Sequence, residues 1–336
     1  MGIAGEVPKQ KTKRVVSVSL GSSRRDTTRE LSLLGYTVTV ERRGCDGDLA
    51  RAEAMIRDLD GSVDAIGLGG LDLYLYVGGR RYVLRDAARL ARAARATPVV
   101  CGAGLKQTLE RRVVANLDRR LGLGERRVLV MSAVDRFGMA DAFAATGAEV
   151  VYGDLIYVLG VPVGLRSLRT VEGVAALLLP VMTQLPIGWL YPTGRAQDDE
   201  APRLRGARYA DRAEVIAGDW HFIRRYLVGG LEHKTILTNT TTPQDVAWLR
   251  EQGAAALYTT TPRLGGRSLP TNLLEAALVA VAGRFPLAAA AYDELIGAAG
   301  LVGEGLELQA LDSSGRSTPT RHDTARHDAG PPSPTH

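Results

Sequence analysis

With 336 residues, 45% of them apolar and 24% charged, the chain has the make-up of a globular protein long enough for one large or two ordinary domains. Its net charge of +5 comes mostly from arginines interleaved with acids on helical stretches such as RDAARLARAARA and LERRVVANLDRR, and aromatics are only 5%, so no nucleic-acid partner is expected. No apolar run approaches the roughly 18 residues of a membrane span, the start MGIAGEVPKQKTKR lacks the apolar core of a secretion signal, and Cys45 and Cys101 have no metal-ligand spacing; the expectation is a cytoplasmic protein with no membrane association and no metal.

In chain order, residues 1–12 read as a frayed start. RVVSVSLG follows as a strand, LSLLG with YTVTVERRG as a hairpin, DLARAEAMIRDLD as a helix and VDAIGLGG as a strand. LYLYVGGRRYVLR alternates on both sides of Gly78-Gly79, a second hairpin signal. After a helix over LRDAARLARAARA come the strand TPVVCG and one long helix over LKQTLERRVVANLDRRLG. From Glu125 the alternation becomes regular: strands RRVLVMSA, AEVVYGD, PIGWLYP, EVIAGD, KTILTNT and AALYTTTP, with helices between them, the last being TNLLEAALVAVAG. The tail from Asp312 has no apolar periodicity and is rich in Ser, Thr and Pro, the signature of disorder. This pattern predicts an α/β protein of two Rossmann-like units. Residues 13–122 carry a mixed sheet and 125–300 a mainly parallel, doubly wound one, with LGLGERR at 121–127 as the hinge. Length and alternation are also compatible with a single (β/α) barrel.

Ligands of open α/β sheets sit beyond the carboxyl ends of the strands, so the loops there hold the candidate residues. Ser22, Ser23 and Arg24 in LGSSRRD are candidates for a phosphate or carboxylate, and Asp72 in GLGGLDLY is a ligand-facing acid. GAGLKQT resembles half of a phosphate-binding loop: Gly102 and Gly104 bare the backbone where a helix begins, and Lys106 follows. Lysine is scarce here, only Lys9, Lys11, Lys13, Lys106 and Lys234, and unlike arginine it can lose its proton when desolvated. Lys106 is therefore the candidate base, with Asp135 and His221 as further catalytic candidates. Its replacement by methionine is expected to remove turnover and leave the melting temperature nearly unchanged.

After RVLVM, the place of a dinucleotide fingerprint, stand Ser132, Asp135, Arg136 and Gly138. Two later strands end in TNTTTPQD and YTTTPRLGGRS. Thr242, Pro243 and Asp245 fit helix N-cap, N1 and N3 positions, and Asn272 with Glu275 fits a second capping pair. Asn239, Thr240, Thr241 and Thr260, beside Arg263, form a rim of short donors and acceptors suited to an anionic or polyhydroxylated small molecule.

Taken together, RVVSVSLGSSRRD, VDAIGLGGLDLYLYVGGRRY, VVCGAGLKQTLERRVV, VLVMSAVDRFGMA, TILTNTTTPQDVAWL and LYTTTPRLGGRSLPTNLLEA resemble bacterial proteins labelled quinate 5-dehydrogenase, over residues 13–283. The resemblance implies oxidation of a ring hydroxyl of a polyhydroxy carboxylate, with NAD or NADP as cofactor. Ser132, Arg136, Gly138, Asn239, Thr240 and Thr241 would then meet the cofactor. Ser22, Ser23, Arg24, Asp72, Thr260 and Arg263 would meet the substrate. Two other readings stay open: a non-redox lyase or transferase acting on an anionic small molecule, favoured by the missing glycine-rich fingerprint, and a non-catalytic small-molecule-binding protein, favoured by the weak set of acid-base residues. Oligomeric state is not encoded in any of these residues.

Overall fold

The computed structural model describes residues 11–190, 206–227 and 229–308. The first half supplies β1 (Lys11–Ser19), β2 (Thr27–Leu33), β3 (Tyr36–Gly44), α1 (Leu49–Leu59), β4 (Ala65–Gly69), β5 (Tyr74–Val77), β6 (Arg80–Val83), α2 (Arg85–Ala91) and β7 (Val99–Val100). Five of these strands form one sheet in the order β2-β3-β1-β4-β7, antiparallel only at β2–β3. Leu34 and Gly35, at φ 51° and 80°, close the β2–β3 hairpin in a tight turn, as the alternation predicts. β5 and β6 form a separate ribbon around Gly78 and Gly79, both at positive φ.

Two helices, α3 (Ala103–Gln107) and α4 (Leu109–Leu121), lead out of this sheet, and Gly122 at φ 60° ends the second. The second half supplies β8 (Arg127–Val130), α5 (Phe137–Ala145), β9 (Glu149–Tyr152), α6 (Leu168–Met182), α7 (Ile187–Leu190), α8 (Ala207–Arg212), β10 (Val215–Ala217), α9 (Trp220–Tyr226), β11 (Thr235–Thr238), α10 (Pro243–Glu251), β12 (Ala256–Thr259), the short hairpin β13 (Arg263–Leu264) and β14 (Arg267–Ser268), α11 (Thr271–Ala282), α12 (Ala289–Ala298) and β15 (Glu304–Glu307). Its sheet runs β15-β12-β11-β10-β8-β9 and is parallel except at β15. The chain thus builds two Rossmann-like α/β units, a mixed sheet followed by a mainly parallel doubly wound one. β9 and β10 flank β8 on opposite sides, which makes the carboxyl end of β8 the topological switch point.

Several elements differ from the sequence-based expectation. β1 opens at Lys11, inside the stretch read as frayed, because Lys11 and Thr12 continue the parallel ladder with Tyr36 and Thr37. The long helix over residues 105–122 breaks at Thr108 (φ −115°, ψ −68°), whose hydroxyl donates to Gly104 O. Ile187–Leu190, read as part of a strand, is helical; the rest of that segment and the tail beyond Asp312 lie outside the described residues. β13, β14, α12 and β15 carry no clear periodic signal in the sequence and are seen only in the structure.

The largest difference concerns α11. Sequence order assigns it to the second unit, yet it packs against β1, β3, β4 and β7 of the first. Every residue from Thr271 to Ala280 is buried, as a helix apolar nearly all round requires. Asn272 Nδ2 donates to Ser17 Oγ on β1 at 2.6 Å, and Gly67 on β4 admits this approach, since a Cβ there would lie 2.9 Å from the Asn272 amide. One core continues through α11, α4 and α5 into both sheets, while α1 and α2 cover the outer face of the first sheet and α8, α9 and α10 that of the second.

Candidate functional site

Lys106, on α3, carries an ammonium that donates to Asp72 Oδ1 at 2.7 Å and to Asp135 Oδ1 at 2.6 Å. Asp72 follows β4 and Asp135 follows β8, so a single cation ties the carboxyl ends of the two sheets together. Beside it Arg136, 1% exposed, donates to Glu110 and, at 3.0 Å, to Asp219 Oδ2, and its Nε lies 3.3 Å from Asp135 Oδ2. Asp219 also accepts from Asn239 Nδ2 at 3.0 Å and from the His221 backbone N–H at 2.8 Å. Lys106, Asp72, Asp135, Arg136 and Asn239, separate in sequence, therefore share one network. Glu110 and Asp219 complete it.

Two cations here face four carboxylates, and burial works against ionisation of two of them. Burial pushes Asp72 up to about 6 and Glu110 up to about 7, against the opposing pull of Lys106 and Arg136 respectively. Burial acts on Asp135 too, but Lys106 and then Arg136 outweigh it and hold that carboxyl below its usual range; Arg136 does the same for Asp219. For Lys106 burial disfavours the ammonium, yet Asp135 and Asp72 outweigh burial and raise its pKa. The two carboxylates thus favour the ammonium form of Lys106, which works against the role of base expected from sequence. A compact ammonium meeting carboxylates from two directions is the physical reason for lysine at this position.

Two of the loops read as anion sites are filled by the protein's own carboxylates. Gly102 N–H donates to Glu275 Oε2 at 2.5 Å and Gly104 N–H to Glu275 Oε1 at 2.8 Å, with Tyr292 Oη on the same carboxylate at 2.8 Å. Glu275 is thus no capping partner of Asn272; it is the anion of the GAGLK loop. After β8, Asp154 Oδ1 accepts from Ser132 Oγ and Val134 N–H, both at 2.9 Å, and Oδ2 from Ala133 N–H at 3.0 Å. The N–H groups that would face a pyrophosphate are taken up there, and Ser132 and Arg136 are bound to carboxylates. Gly138 serves packing instead: a Cβ there would run into the Lys106 carbonyl oxygen and come within 2.9 Å of Gln107 Cα. These three residues, expected at the cofactor, are engaged within the protein itself.

The threonine rim is also interior. β13 and β14 fold over the ends of β11 and β12 and bury Thr241, Thr259, Thr260, Thr261 and Ser268 completely. Ser268 Oγ donates to Asn239 O at 2.7 Å and accepts from Thr241 N–H at 2.5 Å, while Thr261 Oγ1 donates to Leu269 O at 2.6 Å. Thr240 is half-buried, and Arg263 is turned to Gly266 O at 3.3 Å. In the first loop Ser22 caps a short turn by accepting from Arg24 N–H, Ser23 N–H donates to Asp46 Oδ1 at 2.8 Å, and Arg24 is exposed. Arg42, which sequence inspection passed over, braces that loop through Ser22 O at 2.9 Å, Asp26 Oδ1 at 3.0 Å and Ser19 Oγ at 3.0 Å. His221 is exposed at the start of α9.

A cleft with a cavity volume of about 100 Å³ opens at the switch point. Leu75 and Leu84 of the first unit, Leu155 and Leu165 following β9, and Leu178 and Met182 of α6 form its walls. Ser132, Asp135, Asp154 and Thr183 are its polar lining residues. α6 is held across the first unit by Arg85 N–H on Thr183 O at 3.0 Å, so both units contribute to the cleft.

Comparison with known proteins overturns the quinate dehydrogenase resemblance, and with it the oxidoreductase assignment. No curated protein matches. Solved structures that align include an ABC transporter solute-binding protein from Burkholderia multivorans (13% identity, 81% of this chain and 93% of that one, TM-score 0.34), a galactofuranose-binding protein (11%, 86% and 99%, 0.35) and a periplasmic solute-binding protein from Actinobacillus succinogenes 130z with bound D-allose (12%, 82% and 93%, 0.33). Residues 14–101 match the family described as Domain of unknown function (DUF8753), and residues 104–308 match Domain of unknown function (DUF8754). The second match spans more than half of the 336 residues, and the chain belongs to the DUF8754 family.

Proposed function

We propose that this protein binds a small molecule in the cleft between its two α/β units and holds it without transforming it. One observation carries this reading: the cleft opens on the loop after β8, the switch point where α/β folds place their ligands, while the charged groups beside it are closed on one another. A catalyst needs a group free to give or take a proton at the substrate; Lys106 and Arg136 are instead permanent cations inside their own network.

Thermal denaturation of the full chain against a panel of sugars, polyols, amines, alcohols and carboxylates tests this. A ligand present at about 100 times its Kd adds roughly 2.7 kcal/mol, a visible rise in Tm. Saturable stabilisation, with the ligand recovered chemically unchanged, is the expected result. Absence of any saturable ligand overturns the proposal.

A second reading, a non-redox enzyme, is favoured by the carboxyl of Asp72, which burial brings up to about 6, near the pH at which proton transfer is useful. Turnover of a bound ligand that disappears in Asp72→Asn, with binding retained, would select it.

A further inference from the structure

Among the described residues, the polar groups lining the cleft offer acceptors, and their donors are already engaged. Ser132 Oγ gives its proton to Asp154, and Thr183 Oγ1 gives its own to Leu179 O at 2.7 Å. The backbone N–H groups of Ala133, Val134 and Asp135 are all in use, on Asp154 and on Ser132 Oγ. The carboxylates among these groups are acceptors, not donors. Asp154 Oδ2 accepts from Ala133 N–H, and each oxygen of Asp135 meets a cationic partner; a carboxylate oxygen can accept two hydrogen bonds. Among the described residues, no Lys, Arg or His lines the cleft. The rest of the lining is apolar, and its rim exposes Val158 (42%) and Leu159 (41%), side chains that a bound apolar body would remove from water.

We infer that the cleft selects an amphipathic molecule: an apolar body lying along α6 and the residues after β9, with a hydroxyl or amine head that donates to Asp135 and Asp154. The inference rests on the proposal that this cleft binds a small molecule, and it adds the chemical class. An anionic head would lose its hydration and find no free donor among these groups, so carboxylates and phosphates are disfavoured.

Nile red, a neutral apolar fluorophore, serves as the occupancy probe on the full chain, with 1-octanol, octylamine, octanoate and D-glucose as competitors. The alcohol and the amine are expected to displace it, and octanoate to be weaker than octylamine by roughly tenfold or more. D-glucose, without an apolar body, is expected to leave it bound. Leu178→Trp, which fills the wall of the cleft, and Val158→Asp, an exposed change that spares the core, are each expected to weaken Nile red by about tenfold. Displacement by octanoate or D-glucose as effective as by octylamine, with binding still lost in the two variants, overturns the ligand class and leaves the cleft as the binding site. Nile red binding that is absent, or unchanged in both variants, overturns the class and the cleft together.

Discussion

Lys106 and Asp135 meet at 2.6 Å across the junction of the two α/β units, one carried by a helix leaving the first sheet, the other following the first strand of the second. Their side chains are 10% and 14% exposed, so each is the other's principal source of charge compensation in a nearly dry setting. Removing one member of such a pair strands the other. Lys106→Met is therefore expected to lower stability by about 3–5 kcal/mol, the reverse of the small change in melting temperature that sequence position alone suggests. The triple variant Lys106→Met, Asp72→Asn, Asp135→Asn, which removes the stranded charges, is expected to recover part of that loss. Urea denaturation of the three proteins measures both effects; a single variant as stable as the parent would show that the pair does not hold the units together.

The excess of carboxylates predicts an unusual pH profile. Glu110 and Asp72 bind protons more tightly folded than unfolded, up to about 7 and about 6. Their contribution is fully present below the unfolded carboxylate range, about pH 4, and is lost as pH rises through 6 and 7. Asp135 and Asp219 are shifted the other way, and their contribution fades as pH falls below that same range. Stability should peak near pH 5 and fall toward pH 8 by an amount on the order of 3 kcal/mol. Glu110→Gln should flatten this decline. Melting temperatures at fixed ionic strength from pH 4.5 to 8.5 report it, and equal slopes in parent and variant would remove Glu110 as the cause.

Gly138 is fixed by the approach of α5 to α3, where the Lys106 carbonyl oxygen leaves no room for a methyl group. Gly138→Ala is expected to cost about 1–3 kcal/mol by forcing the helices apart, despite the better helix propensity of alanine. A chemical denaturation curve decides between the two: stabilisation would mean that propensity outweighs the clash.

Ser268 is the clasp of the β13–β14 hairpin. Ser268→Ala leaves the buried Thr241 N–H without its acceptor and is expected to cost about 1–3 kcal/mol. Amide exchange at Thr241 should accelerate in the variant, while affinity for a ligand of the cleft stays as in the parent. Loss of that affinity would return the threonine runs to the binding surface.

The alternation in YTVTVERRG, the glycine pair in VGGRR and the T-P-x-D start of α10 announced their elements because each depends on neighbours in sequence; the Thr242–Asp245 capping box forms as spaced. Lys106, Asp72, Asp135 and Arg136 stood out one by one as charges after strands. Their grouping did not, because Glu110 in LERRVV looks like any acid on a solvated helix until α5 is seen to bury it. Glu275 and Asp154 were missed for a related reason: a loop with free N–H groups resembles a phosphate site whether its anion arrives from solution or from the same chain. The threonine runs misled by polarity, since hydroxyls are at home in an interior when carbonyl oxygens stand ready to accept from them.

The return of α11 to the first sheet has a bearing on how the chain acquires its shape. The segment 14–101 and the segment 104–308 belong to separate family descriptions, yet the inner face of the first sheet is covered by a helix from the second segment. During synthesis that face stays bare until residue 282 has emerged, so the amino-terminal half cannot complete its structure ahead of the carboxyl-terminal half, and a fragment ending near residue 122 would expose the apolar side of a five-stranded sheet.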